Sequence, residues 1–207
     1  MAYQSVWYFT DLPENIVETI EEDVRNKFEG QLTDSRLYGG GSDKQVRDSQ
    51  NAWIPTSHWL GGFIWHYIQR ANRENFVYDL TGIDGEKIQY TKYNPGQFYG
   101  WHCDAGCSEL YKPSGITSRD PGENATDFIN TNTQMVRKLS FAMQLSHPDD
   151  YEGGNVQLID ESGKTYLIPR QRGVITLFDS RTRHRVLRVT KGVRRSAVGW
   201  VLGPRWK

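Results

Sequence analysis

Apolar residues recur at three- and four-residue intervals over positions 12–28, where Ile16, Val17, Ile20, Val24 and Phe28 fall on one face. That spacing predicts an amphipathic helix with an acidic outer face, started by Asp11. A short strand-like segment precedes it, a glycine-rich loop follows over 30–44, and positions 45–55 read as extended. A second helix is expected over 57–75, with His66 a packed helix residue and Trp53, Trp59 and Trp65 packing helix against sheet. From Phe76 the period changes to two, in FVYDLTGI and KIQYTKY around a turn at 82–85. A polar stretch over about 105–137 shows almost no apolar periodicity and reads as a long loop. Beyond it come KLSFAMQLS, NVQLID, KTYLIP, GVITLFD, HRVLRV and RRSAVGWVL, parted by glycine-bearing turns. Short strands at such spacing predict an antiparallel sandwich or barrel with the helices outside.

The 207 residues suit a single domain, with 1–75 packing on a β core formed by 76–207. Aromatic residues make up 13% of the chain, which argues for a folded protein. No apolar run approaches the roughly 20 residues that span a bilayer, and no leader pattern opens the chain, so a soluble, cytoplasmic protein is expected. Cys103 and Cys107 cannot build a disulfide framework or a structural zinc site. The net charge of zero conceals a division: from Arg170 onward there are 11 basic residues and one acid, Asp179. Arg181, Arg183, Arg185 and Arg188 surround His184 in that basic block, and could steer an anion towards it.

His102-Cys103-Asp104 is an H-x-D triplet, and on an extended segment residues two apart share a side. His184 stands 80 residues later at the start of a strand candidate. Two imidazoles and one carboxylate on a β scaffold are a donor set for non-haem Fe(II). Ten residues past His184 lies Arg194, with Ser196 in R-x-S spacing and Val198 and Trp200 continuing that face. An arginine fork beside a hydroxyl suits a carboxylate. Tyr93 and Tyr99 precede His102 by nine and three residues, so their phenols can line the same cavity. His58 and His147 lack partners at ligand spacing and read as surface or turn residues.

The segments YNPGQFYGWHCD, GGNVQL and HRVLRVTKGVRRSAVGW resemble the Fe(II)- and 2-oxoglutarate-dependent dioxygenases of the prolyl 4-hydroxylase-like group, in its bacterial and phage-type branch. The resemblance spans about 76–202 and implies a double-stranded β-helix, a jelly roll. It implies that His102, Asp104 and His184 ligate iron, that Arg194 with Ser196 holds the distal carboxylate of 2-oxoglutarate, and that Tyr93 hydrogen-bonds it. Tyr99 would face the substrate and Trp200 would wall the pocket. The implied reaction uses O2 to convert 2-oxoglutarate to succinate and CO2 while hydroxylating an unactivated C–H bond, with ascorbate as a reductant for oxidised iron.

Arg194 stands where collagen-type members carry lysine, which weakens a collagen-like substrate. Trp200 stands where the nucleic-acid demethylases of the superfamily carry a second arginine, which disfavours a nucleic-acid partner. Asp104 is retained, unlike in the halogenating relatives. Three readings follow: a peptidyl (prolyl) hydroxylase, an oxygenase of a free amino acid or small metabolite, and a non-catalytic jelly-roll binding module.

Overall fold

The computed structural model describes residues 6–37, 43–105, 135–160 and 162–204. In chain order these form β1 (Val6–Phe9), α1 (Glu14–Phe28), β2 (Thr33–Asp34), β3 (Arg47–Asp48), β4 (Gln50–Pro55), α2 (Trp59–Ala71), β5 (Gly82–Ile83), β6 (Lys87–Tyr93) and β7 (Phe98–His102). There follow β8 (Met135–Gln144), β9 (Tyr151–Gly153), β10 (Val156–Ile159), β11 (Thr165–Leu167), β12 (Ile175–Asp179), β13 (His184–Val186), β14 (Val189–Gly192) and β15 (Arg194–Pro204). A large antiparallel sheet runs β1-β12-β8-β15-β6-β4-β2, with β5 also on β15. A smaller sheet runs β11-β10-β13-β7-β3, and β14 and β9 form a ribbon. The antiparallel β architecture expected from the strand spacing, and the jelly roll that the resemblance implies, are the fold observed.

The period of two gives the large sheet two chemically different faces. Ala52, Ile54, Ile88, Tyr90, Leu139, Phe141, Met143, Ile175, Leu177, Ala197 and Val201 share one buried cluster with the inner residues of both helices. From α1 these are Val17, Ile20, Val24 and Phe28; from α2 they are Leu60, Ile64, Ile68 and Ala71. Each large aliphatic side chain there contributes roughly 1.5–3 kcal/mol by leaving water. Ile16, assigned to this face from sequence, is instead 37% exposed at the margin of the stripe. The opposite face, read across the register Asn51, Thr91, Ser196, Gln144, carries polar side chains that are nonetheless buried. Buried polar groups need partners, so this second face is built for something other than packing.

Several expectations are corrected. Residues 77–81 are not a strand, because the Asn72 amide accepts from the Tyr78 N–H (2.8 Å) and donates to the Tyr78 carbonyl (2.9 Å), taking the groups that a ladder would use. Val77 is held at φ 54°, and only Gly82–Ile83 joins β15. HRVLRV divides between two sheets after Val186, and Gly153 (φ 73°) lies so close beneath the Arg188 carbonyl that a Cβ would sit 2.2 Å from it. The loop at 30–44 contains β2, paired with β4. The loop expected at 105–137 ends at Met135, where β8 begins, and its body, with Cys107, lies outside the described residues.

Trp53 and Trp59 are 45% and 44% exposed and do not pack helix on sheet, whereas Trp65 does lie against the core. His66 is exposed on α2. His58 caps α2: its Nδ1 accepts the Leu60 N–H, and its Nε2 lies 2.9 Å from Asp23. His147 is a turn residue, accepting the Asp149 N–H.

Candidate metal centre and active site

His102 at the end of β7 and His184 at the start of β13 are direct cross-strand partners, so the sheet register alone brings the imidazoles together. Asp104 follows where the chain leaves β7, fixed by its own N–H and that of Ala105, which both donate to the Ser180 carbonyl at 3.0 Å. The ligand atoms of the three side chains lie within 4.8 Å of one another. Asp104 Oδ1 is 3.6 Å from His102 Nε2, and Oδ2 is 3.4 Å from His184 Nε2.

Backbone acceptors fix both rings. His102 Nδ1 lies 2.8 Å from the Gly100 carbonyl and His184 Nδ1 lies 2.9 Å from the Thr182 carbonyl. Each Nδ1 therefore carries its proton outward, and each Nε2 presents a lone pair to the centre. Burial, then the neighbouring His184, pushes His102 down to about 4, so this imidazole is neutral at pH 7. Burial pushes the Asp104 carboxyl up, but the two imidazoles, the Ser140 hydroxyl and Arg137 outweigh it and hold the group below the ordinary carboxylate range. Ser140 donates to Asp104 Oδ2 at 2.7 Å. An ionised carboxylate beside two imidazole Nε2 atoms fits a borderline divalent ion such as Fe(II).

The loop after β12 organises the centre from beneath. Asp179 accepts from the Arg181 backbone N–H and from Arg181 Nε, both at 2.8 Å, and from Arg181 Nη2 at 2.6 Å and the Tyr78 hydroxyl at 2.8 Å. This clamp holds the carbonyls of Ser180 and Thr182, which orient Asp104 and His184. Sequence reasoning passed over Asp179 and Ser140.

Arg194 is buried on the polar face of the large sheet, its guanidinium 5.6 Å from the ring of Tyr93, its direct cross-strand partner on β6. Ser196 Oγ lies 3.5 Å from Arg194 Nη1. No carboxylate among the described residues pairs with Arg194. It lines a cavity with Gln144, Tyr151, Asn155, Arg170 and Thr176, in whose wall Arg170 Nε and Asn155 Oδ1 are buried without hydrogen-bond partners. Among the described residues neither guanidinium pairs with an acid, which suits an anionic group, and the space between the side chains is about 20 Å³, room for about one water.

A larger cavity of about 780 Å³ has Asp104 in its wall. Tyr99 and Trp200 line it, and so do Arg47, Asn51, Trp53, Gln89 and Arg137; Trp200 therefore walls this cavity and not the one lined by Arg194. Tyr99 stacks on His102 with ring centroids 3.5 Å apart and 16° between planes. Arg137 lies 4.0 Å over the Trp200 ring and pairs with Asp84 at 2.8 Å. The basic residues around His184 line neither cavity: Arg181 is held by Asp179, Arg183 and Arg185 lie over Trp101, and Arg188 lies over Phe98.

The profile of the 2OG-Fe(II) oxygenase superfamily matches residues 88–202. A PKHD-type hydroxylase of Synechococcus sp. (strain JA-2-3B'a(2-13)) is 41% identical over 176 residues, covering 84% of this chain and 68% of that protein. One from Parvibaculum lavamentivorans is 31% identical over 115 residues, covering 56% of this chain and 41% of that protein. A prolyl-4-hydroxylase from Pseudomonas putida shares the fold with a TM-score of 0.67 at 17% identity, covering 98% of this chain and 94% of that one. So does a Trichoplax adhaerens prolyl hydroxylase solved with a peptide fragment of hypoxia inducible factor, with TM-score 0.68, 17% identity and coverage of 96% and 84%.

Proposed function

The chain belongs to the 2OG-Fe(II) oxygenase superfamily, and on that premise we propose that it hydroxylates a peptidyl residue, prolyl first, as a prolyl 4-hydroxylase-like dioxygenase. The observation that carries the reading is the largely buried set of His102, Asp104 and His184, with Asp104 in the wall of the larger open cavity. His102 Nε2, His184 Nε2 and an Asp104 oxygen would hold Fe(II). When bound, iron, 2-oxoglutarate and O2 supply the oxidation: 2-oxoglutarate becomes succinate and CO2, and one oxygen atom enters a substrate C–H bond.

Around that chemistry the protein binds, orients and excludes. Arg194 receives the distal carboxylate of 2-oxoglutarate, with Ser196 beside it and Tyr93 as a further hydroxyl. The carbonyls of Gly100 and Thr182 keep both imidazoles in the ligating tautomer, and Ser140 holds the Asp104 carboxylate in place. Tyr99 and Trp200 contribute aromatic edges to the wall of the larger cavity, which leaves room for the chain flanking the target residue. Residues 1–207 act as one catalytic domain. Among the described residues no helix is long and apolar enough to cross a membrane. We place the enzyme in the cytoplasm, where a small thiol content needs no disulfide framework, and assign ascorbate only to restoring Fe(II).

The test is a peptide and metabolite screen in which succinate production and the gain of one oxygen atom are read together. Coupled turnover with a proline-containing peptide is expected. Turnover only with a free amino acid or other metabolite would transfer the assignment to a small-molecule oxygenase, and none with any pool would leave a binding module.

A further inference from the structure

The R-x-S pattern of Arg194 and Ser196 occurs a second time, as Arg47-Asp48-Ser49, and the structure builds it in the same way. Arg47 lies on β3 directly opposite Tyr99 on β7, just as Arg194 on β15 lies opposite Tyr93 on β6. Its guanidinium carbon is 4.7 Å from the Tyr99 ring centroid, and its Nε donates to Ser49 Oγ at 3.0 Å. Ser49 donates its own hydroxyl hydrogen bond to Ser35 Oγ at 2.9 Å, so its lone pairs are turned to Arg47 and the hydroxyl is fixed.

Arg47 is more than nine-tenths buried, with 8% of its surface exposed. Its other hydrogen bond is a long one, 3.4 Å from Nη1 to the Arg36 carbonyl. Every protein acceptor it uses among the described residues is neutral. The nearby acids are engaged elsewhere: Asp48 accepts from Gln97, and Asp34 pairs with Lys44. A guanidinium withdrawn from water without a carboxylate is costly unless a ligand supplies one. Arg47 lines the larger cavity, on the far side of Tyr99 from His102, whose ring lies one stacking distance further in.

We propose that Arg47, with Tyr99 as its platform, binds a carboxylate of the substrate, so that the molecule hydroxylated here carries an anionic group close to the target C–H bond. This rests on the hydroxylase reading above and narrows its substrate class. The carboxylate comes either from a free terminal acid or from an acidic side chain beside the target residue. Two R-x-S modules in separate cavities would then divide the anions, with Arg194 serving the cosubstrate and Arg47 the substrate.

Two probe pairs test it, measured by calorimetry on full-length protein loaded anaerobically with Mn(II) and 2-oxoglutarate. The first is N-acetylproline against N-acetylprolinamide; the second is acetyl-Asp-Pro-amide against acetyl-Asn-Pro-amide. In at least one pair the acid should bind about tenfold tighter than its neutral twin, as expected for a charge-assisted bidentate contact, and the responding pair identifies the source of the carboxylate. Arg47→Gln should erase that preference while the affinities for Mn(II) and 2-oxoglutarate stay within about twofold of wild type. Arg47→Lys, which keeps the charge, should retain part of the preference. Equal affinities within both pairs, no binding by any of the four probes, or a preference that survives Arg47→Gln would each overturn the proposal. Loss of Mn(II) affinity in Arg47→Gln would do so too, by reducing Arg47 to a prop for Tyr99. Succinate formation with neutral peptides would meanwhile leave the hydroxylase reading standing, so the two fail separately.

Discussion

Ser140→Ala removes one hydroxyl from the floor of the metal centre without touching a ligand. Ser140 is 2% exposed, and its Oγ donates to Asp104 Oδ2 at 2.7 Å while lying 3.0 Å from Ser180 Oγ. A hydrogen bond to a charged group contributes about 1.5–3 kcal/mol. Because the bond fixes the carboxylate between His102 and His184, most of that is expected to appear as lost pre-organisation for the ion. At about 1.4 kcal/mol per tenfold, the Kd for metal should rise roughly ten- to a hundredfold. Mn(II), which does not oxidise during the titration, can be measured by calorimetry on wild type and variant. Ser180→Ala is the control: it removes the adjoining hydroxyl but keeps the Ser180 carbonyl that accepts from Asp104 and Ala105, so its effect should stay below about threefold. An unchanged Kd in Ser140→Ala would refute the argument that this contact orients Asp104, and equal losses in both variants would point to general loosening of the site.

Four further outcomes are expected. Asp179→Asn should weaken metal binding about tenfold, because the Arg181 clamp that holds the carbonyls of Ser180 and Thr182 is lost; calorimetric affinity indistinguishable from wild type would detach the loop from the centre. Arg194→Lys should raise the apparent KM for 2-oxoglutarate with little change in metal affinity, since a point charge replaces a planar fork, and an unchanged KM would move the anion elsewhere. Glu29 is desolvated by burial, which raises its pKa, but Lys92, Tyr90 and Arg195 outweigh this and hold it down to about 2 against an ordinary 4.5. Its stabilising effect of about 2–3 kcal/mol is therefore full above pH 4.5 and is lost as pH falls towards 2; urea titrations should show this loss in wild type and not in Glu29→Gln. Gly61→Ala would place a Cβ 2.3 Å from the Thr56 carbonyl oxygen, and the shift forced on α2 should cost about 1–3 kcal/mol by thermal unfolding.

What the sequence made legible was set by spacing within a single strand. R-x-S places two side chains on one side whatever the strand pairs with, so Arg194 with Ser196 could be joined on the period of two alone, whereas Asp104 lies past the end of β7 and is turned towards His102 by the Ser180 carbonyl. Partners contributed by other strands were not legible, because register is not written in local spacing. Ser140 meets Asp104, and Asp179 meets Tyr78, only once β8, β12 and the segment after α2 are folded together. Trp53 looked like packing because its strand is also apolar on the other face, where Ala52 and Ile54 enter the core. The failed strand at 77–81 is a case of tertiary override: its alternation was present, but the Asn72 side chain captures the backbone of Tyr78. The Arg47-x-Ser49 repeat was visible in the sequence, and its meaning depended on finding Tyr99 opposite it.

The central claim is that His102, Asp104 and His184 form one iron site that couples 2-oxoglutarate turnover to substrate oxidation. Its most direct test is to titrate Mn(II) calorimetrically into wild type and Asp104→Ala, and to follow succinate from the Fe(II)-loaded forms of both under O2. The account predicts one ion bound by wild type with succinate formed, and in Asp104→Ala a loss of metal affinity together with substrate-coupled succinate. Full affinity and undiminished coupled turnover in Asp104→Ala would contradict it.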